Sequence, residues 1–263
     1  MTPPPPFPAP RLNRLTERQT ARIRLYCVPP SGTGSEFFLP WVAAFSELFD
    51  LAAVDLPGRG TRAVEPSITD VGWAATGIAE AIATDLSHRP PADGFYAVFG
   101  HSFGALLAYE ATHRLRAVAH TEPDLLALSA VPPPSRDGLD DHIARNLGSG
   151  IAAITEVMGW EQPTTDDALT RTVYTPFLAD AVALLQHTRQ PRPPLRARLS
   201  VFGGLDDPMV GPGTLHEWST HTTADTRVHH FPGGHHYVRS QAPEVADRLT
   251  DDLLSAYRSP AGH

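Results

Sequence analysis

Six short apolar runs punctuate this chain, each bounded by Gly, Pro, Asp or Ser clusters, and most of the segments between them carry helical patterning. Runs centred on Ile23-Arg-Leu-Tyr-Cys-Val28, Phe95-Tyr-Ala-Val-Phe99, Leu125-Leu-Ala-Leu-Ser-Ala130, Arg198-Leu-Ser-Val-Phe202 and Thr226-Arg-Val-His-His-Phe231 read as strands. With one more near 50–55, the strands are expected at 22–28, 50–55, 95–100, 124–130, 198–203 and 226–231. Short, nearly uninterrupted apolar runs suit strands covered on both faces, as in a parallel sheet. Helices are expected at about 37–49, 71–87, 103–118 and 243–257. Strand and helix in alternation imply an α/β fold, a mostly parallel central sheet with helices on both faces. One interval breaks the alternation. After Pro132-Pro-Pro134 no strand recurs until Leu199, and the residues between hold helical patterns at His142–Trp160 and Asp167–Gln190, interrupted at Pro163 and Pro176. A helical lid at about 135–195 is the expectation. Its conspicuous apolar residues are Met158, Trp160, Phe177, Leu178, Leu184 and Leu185. Most should pack the lid on the core, with Met158, Trp160 and Phe177 as candidate substrate-binding residues. Residues 1–20 read as a Pro-rich, disordered extension, and 21–260 as a single domain carrying the lid.

The chemistry sits at Gly100-His101-Ser102-Phe103-Gly104. A G-x-S-x-G between a strand and a run of good helix formers is the context of a nucleophile elbow in an α/β-hydrolase fold. Its glycines permit a sharp turn and close packing of strand on helix. The serine at the apex then projects its hydroxyl away from the sheet. A serine hydroxyl needs a base to take its proton, and the base needs an acid to orient it. The chain order in this fold is Ser, acid, His. The loop Gly203-Gly-Leu-Asp-Asp-Pro-Met-Val210 offers Asp207 as the acid, with Asp206 as the alternative. The turn Pro232-Gly-Gly-His-His236 offers His235 as the base, with His236 as the alternative, while His229 and His230 read as strand side chains. The oxyanion of acyl transfer requires preorganised N–H donors. Phe103 supplies the first, and Ser31, in the loop Pro29-Pro-Ser-Gly-Thr-Gly34, is the choice for the second.

Simpler readings stand beside these. Any of the 13 histidines can be a surface or hydrogen-bonded structural residue, and Asp206 and Asp207 could serve only their turn. The group His229, His230, His235 and His236 matches no zinc spacing and has no nearby Cys, so no metal is expected. The joint order of Ser, Asp and His, each just after a strand, favours catalysis. A chain of 263 residues, 41% hydrophobic and 19% charged, is ordinary globular material. The net charge of −8 argues against nucleic acid and anionic membranes. The single Cys27 cannot form an internal disulfide, and the start of the chain lacks a signal peptide's basic and apolar regions, so a cytoplasmic setting is expected. All 21 basic residues are Arg, a compositional bias rather than a functional signal.

The chain resembles type II thioesterases, the stand-alone editing hydrolases of polyketide and nonribosomal peptide synthetase pathways. The resemblance runs from about Arg24 to Ser255. It rests on Tyr26-Cys-Val-Pro29 through Trp41, Asp55-Leu-Pro-Gly-Arg-Gly-Thr-Arg62 with Glu65-Pro66, Phe99–Glu110, Ser129 with Pro132-Pro133, and Phe231-Pro-Gly-Gly-His235. The Pro-Gly-Arg-Gly-x-Arg stretch is the most telling; from the residues alone Arg59 and Arg62 read as surface charges. The first loop departs from the family's usual Ala-Gly-Gly with Ser31-Gly32-Thr33. The resemblance implies Ser102 as nucleophile, His235 as base, Asp207 as orienting acid, and Ser31 and Phe103 as oxyanion donors. It implies no cofactor, the acyl group being carried on the phosphopantetheine of an acyl carrier protein or peptidyl carrier domain in trans. A monomer is expected. An acidic carrier meeting an acidic enzyme needs a local basic patch, for which Arg189, Arg192, Arg196 and Arg198 are candidates, though a solvated Arg- and Pro-rich loop is the plainer reading. Competing functions are a small-ester hydrolase, an acyltransferase or cyclase using the same triad, and a non-catalytic carrier-binding protein.

Overall fold

The computed structural model describes residues 7–134, 174–188 and 190–259. Its strands are β1 (Arg11–Arg14), β2 (Ile23–Val28), β3 (Phe49–Asp55), β4 (Phe95–His101), β5 (Leu125–Ser129), β6 (Arg198–Gly204) and β7 (Thr226–Phe231). The helices are α1 (Val71–His88), α2 (Phe103–Val118), α3 (Thr175–Gln186), α4 (Tyr237–Ser240) and α5 (Ala242–Arg258). The sheet order is β1-β3-β2-β4-β5-β6-β7. Every neighbouring pair is parallel except β1 with β3.

Strands β2, β3, β4 and β5 are buried along their whole length, which is why they appear in the sequence as continuous runs rather than alternations. Their side chains nonetheless divide between two faces. Tyr26, Val28, Ala52, Val54 and Val98 join a core with α1 and α2. Ile23, Leu25, Cys27, Leu51, Ala53 and Phe99 join another with α5 and the segment Ser35–Ala43. In the second core Phe99 meets Trp41, Phe38 and Phe202 with ring centroids at 4.7, 5.9 and 6.3 Å. Burial of each such side chain stabilises the fold by about 1.5–3 kcal/mol. Helix α1 starts where the Asp70 side chain accepts the Trp73 N–H at 2.6 Å, an N-cap bond.

Two expectations differ from what is found. The helix expected at 37–49 is a 3₁₀ segment, Ser35–Ala43, with Pro40 inside it. Proline has no N–H and its ring clashes with an α-helical carbonyl four residues back, so tighter turns replace the α-helix. The disorder expected through residue 20 does not extend to Arg11–Arg14, which pair with β3. This edge strand is held by charge: Arg14 pairs with Asp50 at 3.1 Å and also with Asp85, and the Thr16 hydroxyl donates to Asp50 at 2.6 Å. Of the expected lid, α3 is described, whereas Met158, Trp160 and the 142–160 pattern lie outside the described residues. No helix among the described residues is long and apolar enough to cross a membrane.

Because six strands run parallel, their carboxyl ends share one edge of the sheet. The loops after β2, β4, β6 and β7 therefore meet there, as in the α/β-hydrolase fold.

Candidate active site

Strand β4 ends at His101 and α2 begins at Phe103, so Ser102 alone makes the turn between them. Its φ of 55° and ψ of −122° are a strained conformation for a residue with a side chain, of order 1–3 kcal/mol. The flanking glycines relieve the crowding this causes. A Cβ on Gly100 would lie 2.6 Å from Ala105 Cα, and one on Gly104 would lie 2.8 Å from the Val28 carbonyl carbon. The second contact also shows that the loop after β2 lies against the first turn of α2. Ser31 and Phe103 are thereby brought to the same end of the sheet as Ser102.

His235 Nε2 lies 2.8 Å from Ser102 Oγ, and its Nδ1 lies 2.9 Å from Asp207 Oδ2. The other Asp207 oxygen accepts the backbone N–H groups of Met209 at 2.8 Å and Val210 at 3.2 Å. Those two bonds fix the carboxylate with one oxygen facing the imidazole. Asp207 and His235 are buried, while Asp206 is exposed and gives its backbone N–H to Gly233 at 3.0 Å. Gly204 allows the two loops to meet, since a Cβ there would lie 2.5 Å from both Gly233 O and Gly234 O. His236 packs its ring beside His235 at 5.2 Å and takes no place in this chain of bonds. His229 is indeed a strand side chain, 2.7 Å from Asp252 of α5.

A second polar chain lies behind the first. His101 Nδ1 is 2.8 Å from Ser129 Oγ, which is 2.6 Å from the Tyr237 hydroxyl. The His101 ring sits 5.5 Å from that of His235. Burial, with further push from His235, His236 and Arg239, holds the His101 pKa well below the usual imidazole range, so the ring is neutral. Burial likewise pushes the Tyr237 phenol up, keeping it a hydroxyl. Nothing in the residue pattern singled out Tyr237; only its position two residues after His235 hints at it.

Arg59 and Arg62 are not surface charges. Both are buried, Arg59 in a two-bond pair with Asp180 of α3, Arg62 against Glu65 and the Asp55 carbonyl at 2.9 Å. Asp180 was missed as well, although it is the one charged residue in the apolar stretch Thr175–Gln186, which is a readable signal. Within α3, Leu184 is buried, Phe177 is half-buried, and Leu178 and Leu185 are exposed. Three of the four arginines considered for a basic patch have partners. Arg192 pairs with Glu110 at 2.7 Å, Arg196 with Glu122 at 3.7 Å, and Arg198 bonds the Ser259 carbonyl; Arg189 lies outside the described residues.

Known proteins share this architecture. The chain is similar to thioesterase PikA5 of Streptomyces venezuelae, 26% identical over 252 residues covering 95% of this chain and 87% of that protein. Among solved structures it is similar to the type II thioesterase BorB from the borrelidin biosynthetic cluster, at 27% identity and a TM-score of 0.74, covering 92% and 97% of the two chains. It is also similar to the RedJ thioesterase from the prodiginine pathway of Streptomyces coelicolor, at 28% identity and a TM-score of 0.70, covering 89% and 86%. A family model described as the thioesterase domain matches residues 23–253, and the chain therefore belongs to the thioesterase family, as a serine hydrolase acting on thioesters.

Proposed function

We propose that this protein is a stand-alone type II thioesterase that clears stalled or mis-primed acyl groups from carrier proteins of polyketide or nonribosomal peptide synthesis. The observation that carries the reading is the hydrogen-bonded series Ser102–His235–Asp207 at the carboxyl edge of the sheet. The names of the similar proteins support the pathway. In this reading His235 Nε2 takes the Ser102 proton as Oγ bonds to the thioester carbonyl carbon. The carbonyl π pair moves onto oxygen, where the N–H groups of Ser31 and Phe103 stabilise it. Collapse breaks the C–S bond, and His235 returns its proton to the departing thiolate. Water, deprotonated by His235, then attacks the Ser102 ester; collapse breaks the C–Oγ bond, His235 returns the proton to Ser102 Oγ, and the carboxylic acid is released. Asp207 holds Nδ1 protonated throughout and stabilises the imidazolium. The triad side chains, the two backbone N–H groups and water supply every step, so the reaction needs no cofactor. The partner is an acyl or peptidyl carrier protein in trans, met in the cytoplasm.

The test compares one acyl group presented on a carrier protein, on coenzyme A and as a free ester. The proposal expects the highest kcat/KM for the carrier thioester and free acid as product. Faster turnover of the free ester, or transfer of the acyl group to another nucleophile, would overturn it.

A further inference from the structure

Arg59 and Asp180 are 121 residues apart in sequence, and each side chain is 1% exposed. Arg59 Nη1 donates to Asp180 Oδ2 at 2.6 Å and Nη2 to Oδ1 at 2.7 Å. The same Oδ2 also accepts the backbone N–H of Gly32 at 2.9 Å. Burying such a pair costs desolvation of both ions, and apolar replacements are often neutral or stabilising. Arg59 Nε, moreover, is buried without a partner among the described residues, an added cost. Stability alone therefore gives little reason for a buried pair here.

Its third partner supplies a reason. Pro30-Ser31-Gly32-Thr33 is a tight turn in which the Pro30 carbonyl accepts the Thr33 N–H at 3.2 Å and the Thr33 hydroxyl at 2.9 Å. Gly32, third in the turn, has φ of 73°, the type II pattern. Types I and II differ by a flip of the central peptide, here Ser31–Gly32. Its N–H is the group that Asp180 holds. Two further carboxylates fix the rest of the loop, Glu36 on the Gly34 N–H at 2.9 Å and Asp55 on the Ser35 N–H at 2.8 Å. Only Asp180 comes from α3.

We propose that Asp180, clamped by Arg59, is a positioning residue for the oxyanion hole: by holding the Gly32 N–H it fixes the turn on the far side of Ser31, and through it the placement of the adjoining Pro30–Ser31 peptide, whose N–H faces the reacting carbonyl. The inference rests on the assignment of Ser31 as an oxyanion donor. It makes α3 and the oxyanion loop one unit, so the donor is in place only while α3 is seated.

The test uses two double variants. Arg59→Met with Asp180→Leu removes the pair without stranding a charge and deletes the acceptor for Gly32. Arg59→Met with Asp180→Asn keeps a neutral acceptor. Both are assayed for kcat and KM on a simple acyl thioester, and for Ki of an acyl trifluoromethyl ketone, whose Ser102 hemiketal carries the oxyanion. Loss of an oxyanion donor costs about 10²–10³ in kcat. A misaimed donor should cost the Leu variant at least tenfold in kcat, by the same scale, with KM little changed and Ki raised in parallel. The Asn variant should recover most of the loss. A folded Leu variant with unchanged kcat and Ki would overturn the proposal, as would an Asn variant no better than Leu. If neither variant folds, exchange of the Gly32 amide in the wild-type protein decides: slow exchange is expected, and an unprotected amide overturns the proposal. Absence of wild-type turnover on any thioester would instead defeat the functional reading, and is seen before any variant is compared.

Discussion

Asp207→Asn probes the geometry of the site most sharply, because the volume is unchanged and only the hydrogen-bond sense is altered. In the native site Oδ1 accepts two backbone N–H groups, from Met209 and Val210, and Oδ2 faces His235 Nδ1. An asparagine must keep its oxygen toward the two backbone donors, since turning the amide over would set NH₂ against N–H twice. Its NH₂ then faces Nδ1 and donates to it. Nδ1 becomes an acceptor, the ring proton moves to Nε2, and Nε2 can no longer take the Ser102 proton. Loss of the correct tautomer is worth about 10⁴ in kcat, or roughly 5.5 kcal/mol. The assay is steady-state release of thiol from an acyl N-acetylcysteamine thioester, with thermal melting to show that the fold is intact. Asp206→Asn, on the exposed neighbour, is the control and should match wild type. An Asp207→Asn enzyme that folds and keeps more than about a tenth of wild-type kcat would refute the assignment of the acid.

Gly104→Ala places a methyl against the backbone of Val28 and Pro29, which cannot swing aside as a side chain would. It should lower stability by about 3 kcal/mol or more, read from the urea midpoint; a variant as stable as wild type contradicts the packing described. His113, held to a pKa of about 4 chiefly by burial, stays neutral in the fold where the unfolded chain would protonate. Its contribution is full above the ordinary imidazole pKa of about 6.5 and is lost as pH falls toward 4. His113→Gln should therefore flatten the decline of stability between those pH values, and an unchanged slope would contradict this. Cys27 is buried and its thiol is pushed up by that burial, so a disulfide reagent should modify it only at the rate of unfolding; fast labelling of the native protein would contradict its place in the core.

The strands β2 to β7 were legible because a strand buried on both faces leaves a run of apolar residues between turn residues. β1 was not, since Arg11-Leu-Asn-Arg14 is an edge strand whose anchoring depends on Asp50 and Asp85, distant in sequence. Pro40 was in plain view, and weighing it against the apolar run would have favoured 3₁₀ turns over a helix at 37–49. At the site, the order Ser102, Asp207, His235 follows from strand ends that sequence can locate. Choosing Asp207 over Asp206 by its surroundings depends on burial, and on Met209 and Val210 turning their N–H groups back. Arg59 shows the limit: a charged residue between glycines reads as surface until a partner far along the chain, Asp180, is brought to it by the fold.

The central claim is that the Ser102 hydroxyl is the attacking group, and its most direct test is Ser102→Ala with a carrier-bound acyl thioester as substrate. Ser102 sits half-exposed at the turn, with its Oγ 2.8 Å from His235 Nε2, so alanine removes the nucleophile and little else. The account predicts an intact fold and a loss of about 10⁴–10⁶ in turnover. A folded Ser102→Ala protein that still released acid within tenfold of the wild-type rate would contradict it.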